Sequence, residues 1–582
     1  MIGVTAFLAL MGAALAAVGG PPAAPSAEKS AGASFAAKCV GTAALLPAGV
    51  TLELAEATAP AATWLSPASP TSPQGEQVRV SMCRLAGKID GDIGFELWLP
   101  EAWNSRLLGA GVGGEAGYFN YSDMARGVEQ GFAAASSDAG HARGEDWIDD
   151  PRKVETYSHL AYHRLTQTAK AIIERFYRQP AAYSYFIGCS GGGRQGLREL
   201  QLYPGDYDGA VIGAPGLDVP LLAARLLHVH LTQERALDEA LTSDDWNLIA
   251  RSGVAQCDAN DGLVDGIVSD PRTCGFRVRQ LECRGADRED CLSPAKVAAA
   301  EAIIAPLTDS LGRTYDHGLL PGIMPRSGGL PPLPVQMFGN VVHRDENWDP
   351  GSFDIAADLP AARRAFPMMD ARDPDLSAFA GRGGKLLLYH GWLDASVQPQ
   401  STIEYYEKLT QSSGSIAGDF ARLYMVPGMH HCRGGQGPDR FGASEDRGPT
   451  GDAGSDMLAA LIAWVERSQA PGRITARRLD PAGMTEWPLR PYSSAFAGEQ
   501  VASLPDSYPG SDDKLLKQQN RAEPASLADV RKLSDRMEID ELHSRRLPVR
   551  ERGDLRPRVE LRMQRAAFDA RKSEPSPADY DG

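Results

Sequence analysis

Residues 183–196 read YSYFIGCSGGGRQG, and the rest of the chain is best understood from this stretch. Its aromatic and apolar first half, Tyr183–Gly188, predicts a strand, and residues 193–203 predict a helix. A strand, a sharp turn with Ser190 at its tip and a helix together predict a nucleophile elbow. Such a turn crowds the backbone and therefore requires small residues. The glycines that meet this need are Gly188, Gly191, Gly192 and Gly193.

A serine hydroxyl is a weak nucleophile that needs a base and an acid to orient the base. Asp394 follows the apolar run 385–390, which predicts another strand, and His431 lies farther along the chain. The order serine, aspartate, histidine is that of α/β-hydrolases. The sequence therefore predicts Ser190 as the nucleophile, Asp394 as the orienting acid and His431 as the base.

The two downstream members have competing interpretations. His430 competes with His431 for the role of base, and the preference for His431 rests on Cys432, which follows it. Asp394 is alternatively a helix cap, because a turn follows it. The neighbouring His390 is interpreted as a buried core histidine.

Two cysteines flank this predicted triad, since Cys189 precedes Ser190 and Cys432 follows His431. If the serine and the histidine meet, these cysteines also lie close and bond in an oxidising compartment. The even number of cysteines favours disulfides over buried reduced thiols, and the absence of a C-x-x-C pair disfavours a zinc ribbon. The eight cysteines are Cys39, Cys83, Cys189, Cys257, Cys274, Cys283, Cys291 and Cys432.

Attack on a carbonyl creates negative charge that needs two backbone N–H donors, an oxyanion hole. Gly191 is expected to supply one donor at a helix N-terminus, where the dipole also favours negative charge. The other is expected from residues 111–117, GVGGEAG, at Gly113 or Gly114. A nucleotide-binding loop is the alternative, but the spacing fits that motif imperfectly.

The remaining pattern predicts an α/β fold, a mostly parallel sheet with helices on both faces. Strand-like and helical runs alternate up to about residue 216 and resume at 382, and helix Asp456–Ser468 is expected to close the core. The interruption predicts an α/β-hydrolase core with a large inserted lid domain. The predicted units are a signal peptide at 1–16, a flexible leader at 17–38, the two parts of the core at 39–216 and 382–504, the lid at 217–381 and a charged, mobile tail at 505–582.

Within the lid, residues 257–267 read CDANDGLVDGI. Carboxylates and glycines at this density suit Ca²⁺, a hard cation that takes oxygen ligands from a curled loop. The three carboxylates are Asp258, Asp261 and Asp265, and the cysteines at 257 and 274 flank them. The loop predicts a structural calcium site that stiffens the lid away from the chemistry, and a metal-free acidic turn is the alternative.

Composition limits the partners and the compartment. A net charge of −16 at pH 7 disfavours nucleic acid, whose phosphates require a basic surface. Residues 1–16 resemble a secretory signal, although no basic residue begins them. No other stretch is long and apolar enough to span a bilayer. Together with the cysteines, these features predict a secreted or periplasmic protein with no membrane partner.

The motifs resemble the tannase and feruloyl esterase family of α/β-hydrolases over about residues 35–495. The residues that carry the resemblance are Gly188-Cys189-Ser190 with Gly192-Gly193-Arg194, His390-Gly391 with Asp394, and His431-Cys432. The resemblance implies the same three triad roles. One departure is Arg490, which stands where the family has a cysteine, so the family's last disulfide is not expected.

The resemblance also implies particular metal ligands and disulfides. The implied calcium ligands are the three lid carboxylates and the carbonyls of Leu263 and Ile267. The implied disulfides are Cys189–Cys432, Cys257–Cys274, Cys283–Cys291 and Cys39–Cys83.

By the same resemblance, the expected activity is that of a serine carboxylesterase that cleaves galloyl, feruloyl or related phenolic esters. Lid residues Phe338, His343, Arg344 and Trp348 are candidates for its acyl pocket or, alternatively, for lid core. A terephthalate-type monoester hydrolase is the alternative substrate class. The rival classes are a non-catalytic calcium-binding module, a peptidase and an acyltransferase, and the oligomeric state is left open.

Overall fold

One nine-stranded sheet organises the protein. The computed structural model describes residues 35–59, 64–285, 290–325, 329–446, 451–480 and 483–493. In chain order the strands of this sheet are β1 Val50–Thr58, β2 Met82–Ile89, β3 Ile93–Pro100, β4 Arg106–Ala110, β5 Ala133–Ser137, β6 Tyr183–Cys189, β7 Gly209–Gly213, β8 Lys385–Gly391 and β9 Ala421–Val426. Their spatial order is β1-β2-β3-β5-β4-β6-β7-β8-β9.

The sheet is mostly parallel, as predicted. Strands β5, β4, β6, β7, β8 and β9 are each parallel to the next in space. Strands β1, β2 and β3 add an antiparallel extension that joins β5. The carboxyl ends of the parallel strands meet at one edge, which is where ligands bind in sheets of this kind.

Helices cover both faces of the sheet, so most strand residues are apolar regardless of the face they occupy. On β6, Phe186 packs into the core of one face, and Tyr185 and Ile187 pack into the core of the other. The longer helices are α1 Tyr121–Glu129, α2 Ala161–Tyr177, α3 Gly191–Leu202, α4 Val219–Ala236, α5 Ser243–Cys257, α6 Pro294–Ile304, α7 Ile355–Ala365, α8 Pro399–Ser413 and α9 Met457–Arg467.

The predicted closing helix is α9, and its first turn is tied to the core. Asp456 caps it by accepting a hydrogen bond from the backbone of Ala459 at 2.9 Å. The same carboxylate pairs with Arg126, on α1, at 3.0 Å. A hairpin of Ile474–Asp480 and Gly483–Leu489 follows α9.

The predicted lid lies between β7 and β8 and contains α4 to α7. Its two ends touch, because the backbone N–H of Ala371 donates to the carbonyl of Leu217 at 2.9 Å. Arg363 also donates from Nε to Asp218 at 3.1 Å. The insertion therefore leaves and rejoins the core at one place, and the two halves of the sheet stay continuous.

All eight cysteines are paired, and the four pairs are the ones that the family resemblance implies. Cys39–Cys83 ties the start of the described chain to β2, and the pairs 257–274 and 283–291 lie in the lid. The remaining pair, Cys189–Cys432, joins the end of β6 to the loop after β9. Only this last bond links distant parts of the core.

The ends of the chain are described only in part. The predicted signal, residues 17–34 of the leader and the tail at 505–582 lie outside the described residues. Residues 35–40, which include the last four residues of the predicted flexible leader, are helical. They pack on the core, since Phe35 meets the ring of Phe176 edge to face at 6.1 Å. Within the described ranges, no helix has both the length and the apolar character needed to cross a membrane.

Candidate active site

Ser190 occupies a strained turn between β6 and α3. Its backbone has φ of 59° and ψ of −121°, a conformation that costs a non-glycine residue free energy. The neighbouring glycines permit the turn because other backbone atoms occupy the space that their side chains would need. A Cβ on Gly192 would lie 2.8 Å from the carbonyl carbon of Gly111, and one on Gly191 would lie 2.5 Å from the carbonyl oxygen of Gly114. The structure thus places Ser190 at the tip of an elbow.

The acid and the base lie on the loops after β8 and β9. His431 Nδ1 is 2.6 Å from Asp394 Oδ2, and the Asp394 side chain is 0% exposed. The other oxygen, Oδ1, accepts hydrogen bonds from the backbone of Ser396 at 2.8 Å and Val397 at 2.9 Å. The two interpretations of Asp394 are therefore compatible, since one oxygen caps the turn and the other orients the histidine.

The histidines keep Asp394 ionised. Burial by itself favours the neutral acid, but the charge of His431 and hydrogen bonds with His390 and His431 outweigh it and hold the pKa of Asp394 well below its usual range. An ionised Asp394 favours the Nδ1–H tautomer of His431, which leaves Nε2 to accept a proton. The competing His430 is half-buried, and the loss of water around it lowers its pKa, while the hydrogen bond to Asp394 belongs to His431.

A second histidine binds the same carboxylate oxygen. His390 Nε2 lies 3.0 Å from Asp394 Oδ2 and 2.9 Å from the carbonyl of Val397, and its Nδ1 lies 2.8 Å from Thr402 Oγ1. A neutral ring with the proton on Nε2 satisfies all three contacts. His390 is buried, as the sequence predicted, but its hydrogen bond to Asp394 was not predicted. The i, i+4 spacing of the two residues was the only signal in the sequence.

Replacing His390 with glutamine is expected to lower kcat by about tenfold to a hundredfold, since a hydrogen bond to a charged group contributes about 1.5–3 kcal/mol. KM should change little, because His390 acts through Asp394 and not on the substrate. Steady-state kinetics of the variant beside Thr402→Val, which removes only the outer bond, measures the effect. A kcat equal to that of the wild type would show that Asp394 needs no second histidine.

The Cys189–Cys432 disulfide holds the base beside the elbow. Its Cα atoms are 6.0 Å apart, and its two cysteines are the chain neighbours of Ser190 and His431. His431 Nε2 is buried and has no hydrogen-bond partner in the part of the chain that the structure describes. Nε2, the nitrogen that a base uses to accept a proton, is therefore not occupied by another hydrogen bond within the described residues.

Replacing Cys189 and Cys432 together with alanine is expected to lower the free energy of unfolding by about 5 kcal/mol, because the bond closes a long loop. We also expect a fall in kcat of at least tenfold, since the base loop loses its link to the elbow. Chemical denaturation and ester hydrolysis measure the two effects. The matched control is Cys283→Ala with Cys291→Ala, which opens a loop with a sequence separation of only 8. Equal kcat values in both double variants would contradict a positioning role.

The loop at 111–117 lies against the elbow, where the second oxyanion donor is expected. A Cβ on Gly191 would be 3.1 Å from the backbone nitrogen of Gly114, so these two predicted donors are neighbours. The hydroxyl of Tyr157 donates to the carbonyl of Gly114 at 3.2 Å, and that of Tyr118 donates to the carbonyl of Gly113 at 3.4 Å. Both tyrosines hold the loop in place.

A cavity of about 250 Å³ opens beside this loop. Gly113 and Gly114 form one wall, Trp147 forms an aromatic wall, and Pro332 and Gln336 reach in from the lid. An aromatic lining with a few polar groups is typical of a site for a small organic ligand.

The four lid residues considered for the acyl pocket lie elsewhere. Phe338 and Trp348 are 0% and 8% exposed. Phe338 packs on the ring of Phe353 at 4.7 Å, and Trp348 stacks on His343 at 5.4 Å. These contacts favour the lid-core alternative for Phe338 and Trp348, whereas His343 and Arg344 are exposed, and the cavity is lined by other residues.

The acidic lid loop folds back on its own carboxylates. Asp258 and Asp261 are each 8% exposed, and the disulfide between Cys257 and Cys274 closes the segment. The backbone hydrogen bonds to these acids are Gly266 to Asp258 at 3.0 Å, Leu263 to Asp261 at 2.9 Å and Ile267 to Asp265 at 3.0 Å. Burial, followed by the charges of Asp258 and Asp261, raises the pKa of Asp265 to about 6.

This loop and the segment that follows it contact the segments that carry the base and the acid. A Cβ on Gly428, three residues before His431, would lie 3.3 Å from Ile267 Cγ2. Arg272, in the same disulfide-closed segment, lies 4.8 Å from the ring centre of Trp392, which shortly precedes the acid. Both contacts join residues that are far apart in the sequence, so they could not be predicted from the sequence and are seen only in the folded structure.

The sheet order, the elbow and the Asp394–His431 pair define an α/β-hydrolase with the active-site layout of an esterase. The chain matches the family model described as tannase and feruloyl esterase over residues 76–320 and 334–500. The protein belongs to this family and is a carboxylesterase.

Individual esterases are also similar to this chain. The chain is 30% identical over 442 residues to feruloyl esterase C of Talaromyces stipitatus, covering 72% of this chain and 83% of that protein. It is 32% identical over 477 residues to the mono(2-hydroxyethyl) terephthalate hydrolase of Piscinibacter sakaiensis, covering 67% and 76%. The crystal structure of feruloyl esterase B from Aspergillus oryzae superposes with a TM-score of 0.73 at 26% identity, covering 79% of this chain and 96% of that one.

Proposed function

We propose that the protein hydrolyses esters of aromatic acids, with a feruloyl, galloyl or related phenolic acyl group, through an acyl-enzyme on Ser190. The observation that carries this proposal is the 2.6 Å hydrogen bond between His431 and Asp394. Two further observations support it: the disulfide joins the chain neighbours of Ser190 and His431, and the cavity with its aromatic wall lies against the proposed oxyanion loop.

In this mechanism Ser190 Oγ attacks the ester carbonyl while His431 Nε2 takes its proton. Asp394 stabilises the imidazolium that forms. The N–H groups of Gly191 and of Gly113 or Gly114 bind the negative oxygen of the tetrahedral intermediate. His431 then donates its proton to the leaving alcohol, which leaves an acyl group on Ser190. Water, activated by the same nitrogen, releases the acid.

The relatives support two substrate classes. Two names among them, probable feruloyl esterase B-1 and feruloyl esterase C, refer to a feruloyl group. A second candidate is the monoester of an aromatic diacid, since one relative of similar identity is a mono(2-hydroxyethyl) terephthalate hydrolase. Both classes share an aromatic acyl group.

A panel of esters distinguishes these candidates. We expect the highest kcat/KM on methyl ferulate or methyl gallate and a lower value on mono(2-hydroxyethyl) terephthalate, with Ser190→Ala as the blank. The reverse order would assign the terephthalate class. The amide analogue of the best ester tests for peptidase activity, and turnover of neither ester nor amide by the oxidised protein would favour a binding module.

We also propose that the lid loop holds a structural Ca²⁺. Its donor set fits, because Asp258, Asp261 and Asp265 supply carboxylates and the loop carries the carbonyls of Leu263 and Ile267. The loop curls around two of these acids, because the backbone N–H groups of Gly266 and Ile267 donate to Asp258 and Asp265. When bound, the ion would neutralise three clustered acids and stiffen the segment that contacts the loop of the base.

Removal of calcium is expected to destabilise the protein. At a free Ca²⁺ concentration 100 times Kd, binding to the folded state alone contributes about 2.7 kcal/mol. Thermal unfolding with Ca²⁺ and with a chelator measures this contribution, and Asp258→Asn should abolish most of it. The control is Asp309→Asn, in another acidic turn of the lid. A chelator without effect on the wild type would assign the metal-free alternative.

A secreted or periplasmic location is proposed on the same grounds as the disulfides. Four bonds, one of them beside the active site, require an oxidising compartment to form and persist. Fractionation and N-terminal sequencing of the mature protein test this, with cleavage expected near residue 16. An intact N-terminus in the cytoplasmic fraction would contradict it.

A further inference from the structure

Three ligand-type side chains meet behind the elbow helix, far along α3 from Ser190. His163 lies near the start of α2, Glu199 near the end of α3, and Asp206 on the loop that follows α3. One donor atom from each lies within 4.8 Å of the other two. None of these residues has a role in the proposed mechanism.

Glu199 is the unusual member of this cluster. It is 1% exposed, and as an ionised carboxylate it has no hydrogen-bond donor among the described residues, whereas in its protonated form it would hydrogen-bond to the carboxylate of Asp206. Burial, followed by the charge of Asp206, raises the pKa of Glu199 well above its usual range. An unpartnered buried carboxylate is costly, so either a proton or a cation must compensate it.

The neighbouring lysine does not bond to the carboxylates of the cluster. Lys170 is half-buried and acts on Glu199 through its charge, but its hydrogen bond goes to the backbone carbonyl of Asp206. His163 Nδ1 lies 2.6 Å from Asp206 Oδ2, and its ring stacks on Tyr203 at 3.7 Å, which fixes its plane. The side chains of His163 and Asp206 are 19% and 15% exposed, so an ion can reach the cluster from solvent.

We propose that His163, Glu199 and Asp206 bind a divalent transition-metal ion, with Zn²⁺ as the best match. An imidazole nitrogen with two carboxylate oxygens suits Zn²⁺ or Mn²⁺ better than Ca²⁺, which prefers oxygen ligands alone. The ion would tie α2 to the far end of the helix that begins after Ser190. Its role is structural, since it lies outside the triad, and it is separate from the calcium loop of the lid.

Metal binding to the full-length, chelator-treated protein tests this site. We expect one equivalent of Zn²⁺ by calorimetry, and Co²⁺ as a probe should develop visible absorption bands. Glu199→Gln keeps the shape of the side chain but loses the carboxylate, and His163→Gln removes the nitrogen. Each should weaken Zn²⁺ binding by at least about a hundredfold, whereas Asp258→Asn, in the calcium loop, should leave it unchanged.

Several results would overturn the site. They are a wild type that binds neither Zn²⁺ nor Co²⁺, and variants at 163 and 199 that bind as tightly as the wild type. In the first case a proton shared between Glu199 and Asp206 replaces the ion. If Glu199→Gln fails to fold, as judged by circular dichroism, the partly exposed His163→Gln carries the test. The readout does not depend on ester hydrolysis, so it stands whether or not the proposed activity is correct.

Discussion

Ser190→Ala is expected to lower kcat on every ester substrate by about 10⁶-fold, the loss seen when a serine hydrolase is deprived of its nucleophile. The variant retains the oxyanion donors and the cavity, so substrate binding should persist. Stability should change by less than about 0.5 kcal/mol, because alanine keeps the Cβ and the positive φ of the elbow. Burst kinetics and thermal unfolding measure both effects.

The matched control for Ser190 is Ser412→Ala. Ser412 lies on α8 and donates only to the carbonyl of Leu409. The control should retain full activity. A residual rate in Ser190→Ala above about one hundredth of the wild-type rate would mean that another group attacks the ester.

Asp394→Asn is expected to lower kcat by about 10⁴-fold, since loss of the carboxylate leaves the base in the wrong tautomer. The effect should be large here because Asp394 Oδ2 accepts from both His431 and His390. An amide can present its oxygen to the histidines or to the backbone of the turn, but not to both. The pH profile of kcat and denaturation curves measure the result.

The same variant gives a pH-dependent stability difference of known sign. The pKa of Asp394 is held below its usual range in the folded protein. Its carboxylate therefore stabilises the fold above the pKa of an unfolded aspartate, about 3.9, and this contribution is lost as pH falls through the folded pKa. The gap between wild type and Asp394→Asn should be full at neutral pH and shrink in acid.

Asp349→Asn is the control, because Asp349 caps an exposed turn in the same way without touching a histidine. It should leave both kcat and the pH dependence unchanged. Equal losses of kcat in the two aspartate variants would show that Asp394 acts only as a cap, the alternative that the sequence left open.

Local features of the protein could be predicted from the sequence alone. The elbow is one of them, because a strand, a helix and the glycines of a tight turn all lie within one short stretch. The order of nucleophile, acid and base along the chain then followed from an established pattern. The Cys189–Cys432 pair followed from the predicted meeting of Ser190 and His431, whereas the other three pairs came from family resemblance, since the spacing of eight cysteines leaves many pairings open.

Tertiary contacts, in contrast, could not be predicted from the sequence. The bond from His390 to Asp394 depends on how β8 ends and how the turn after it bends. The packing of Ile267 on Gly428 requires the lid to fold back over the core. The burial of Phe338 and Trp348 within the lid, instead of in a pocket, depends on their neighbours in three dimensions.

The chain therefore carried in its linear order the fold class, the elbow and the three triad residues, because these depend on short-range backbone chemistry. The tertiary structure alone decided which oxygen of Asp394 serves the base, where the acidic loop of the lid lies and which side chains gather around Glu199. The physical reason is that burial and hydrogen bonding are set by side chains from different elements of the fold, whose meeting leaves no periodic signal along the chain.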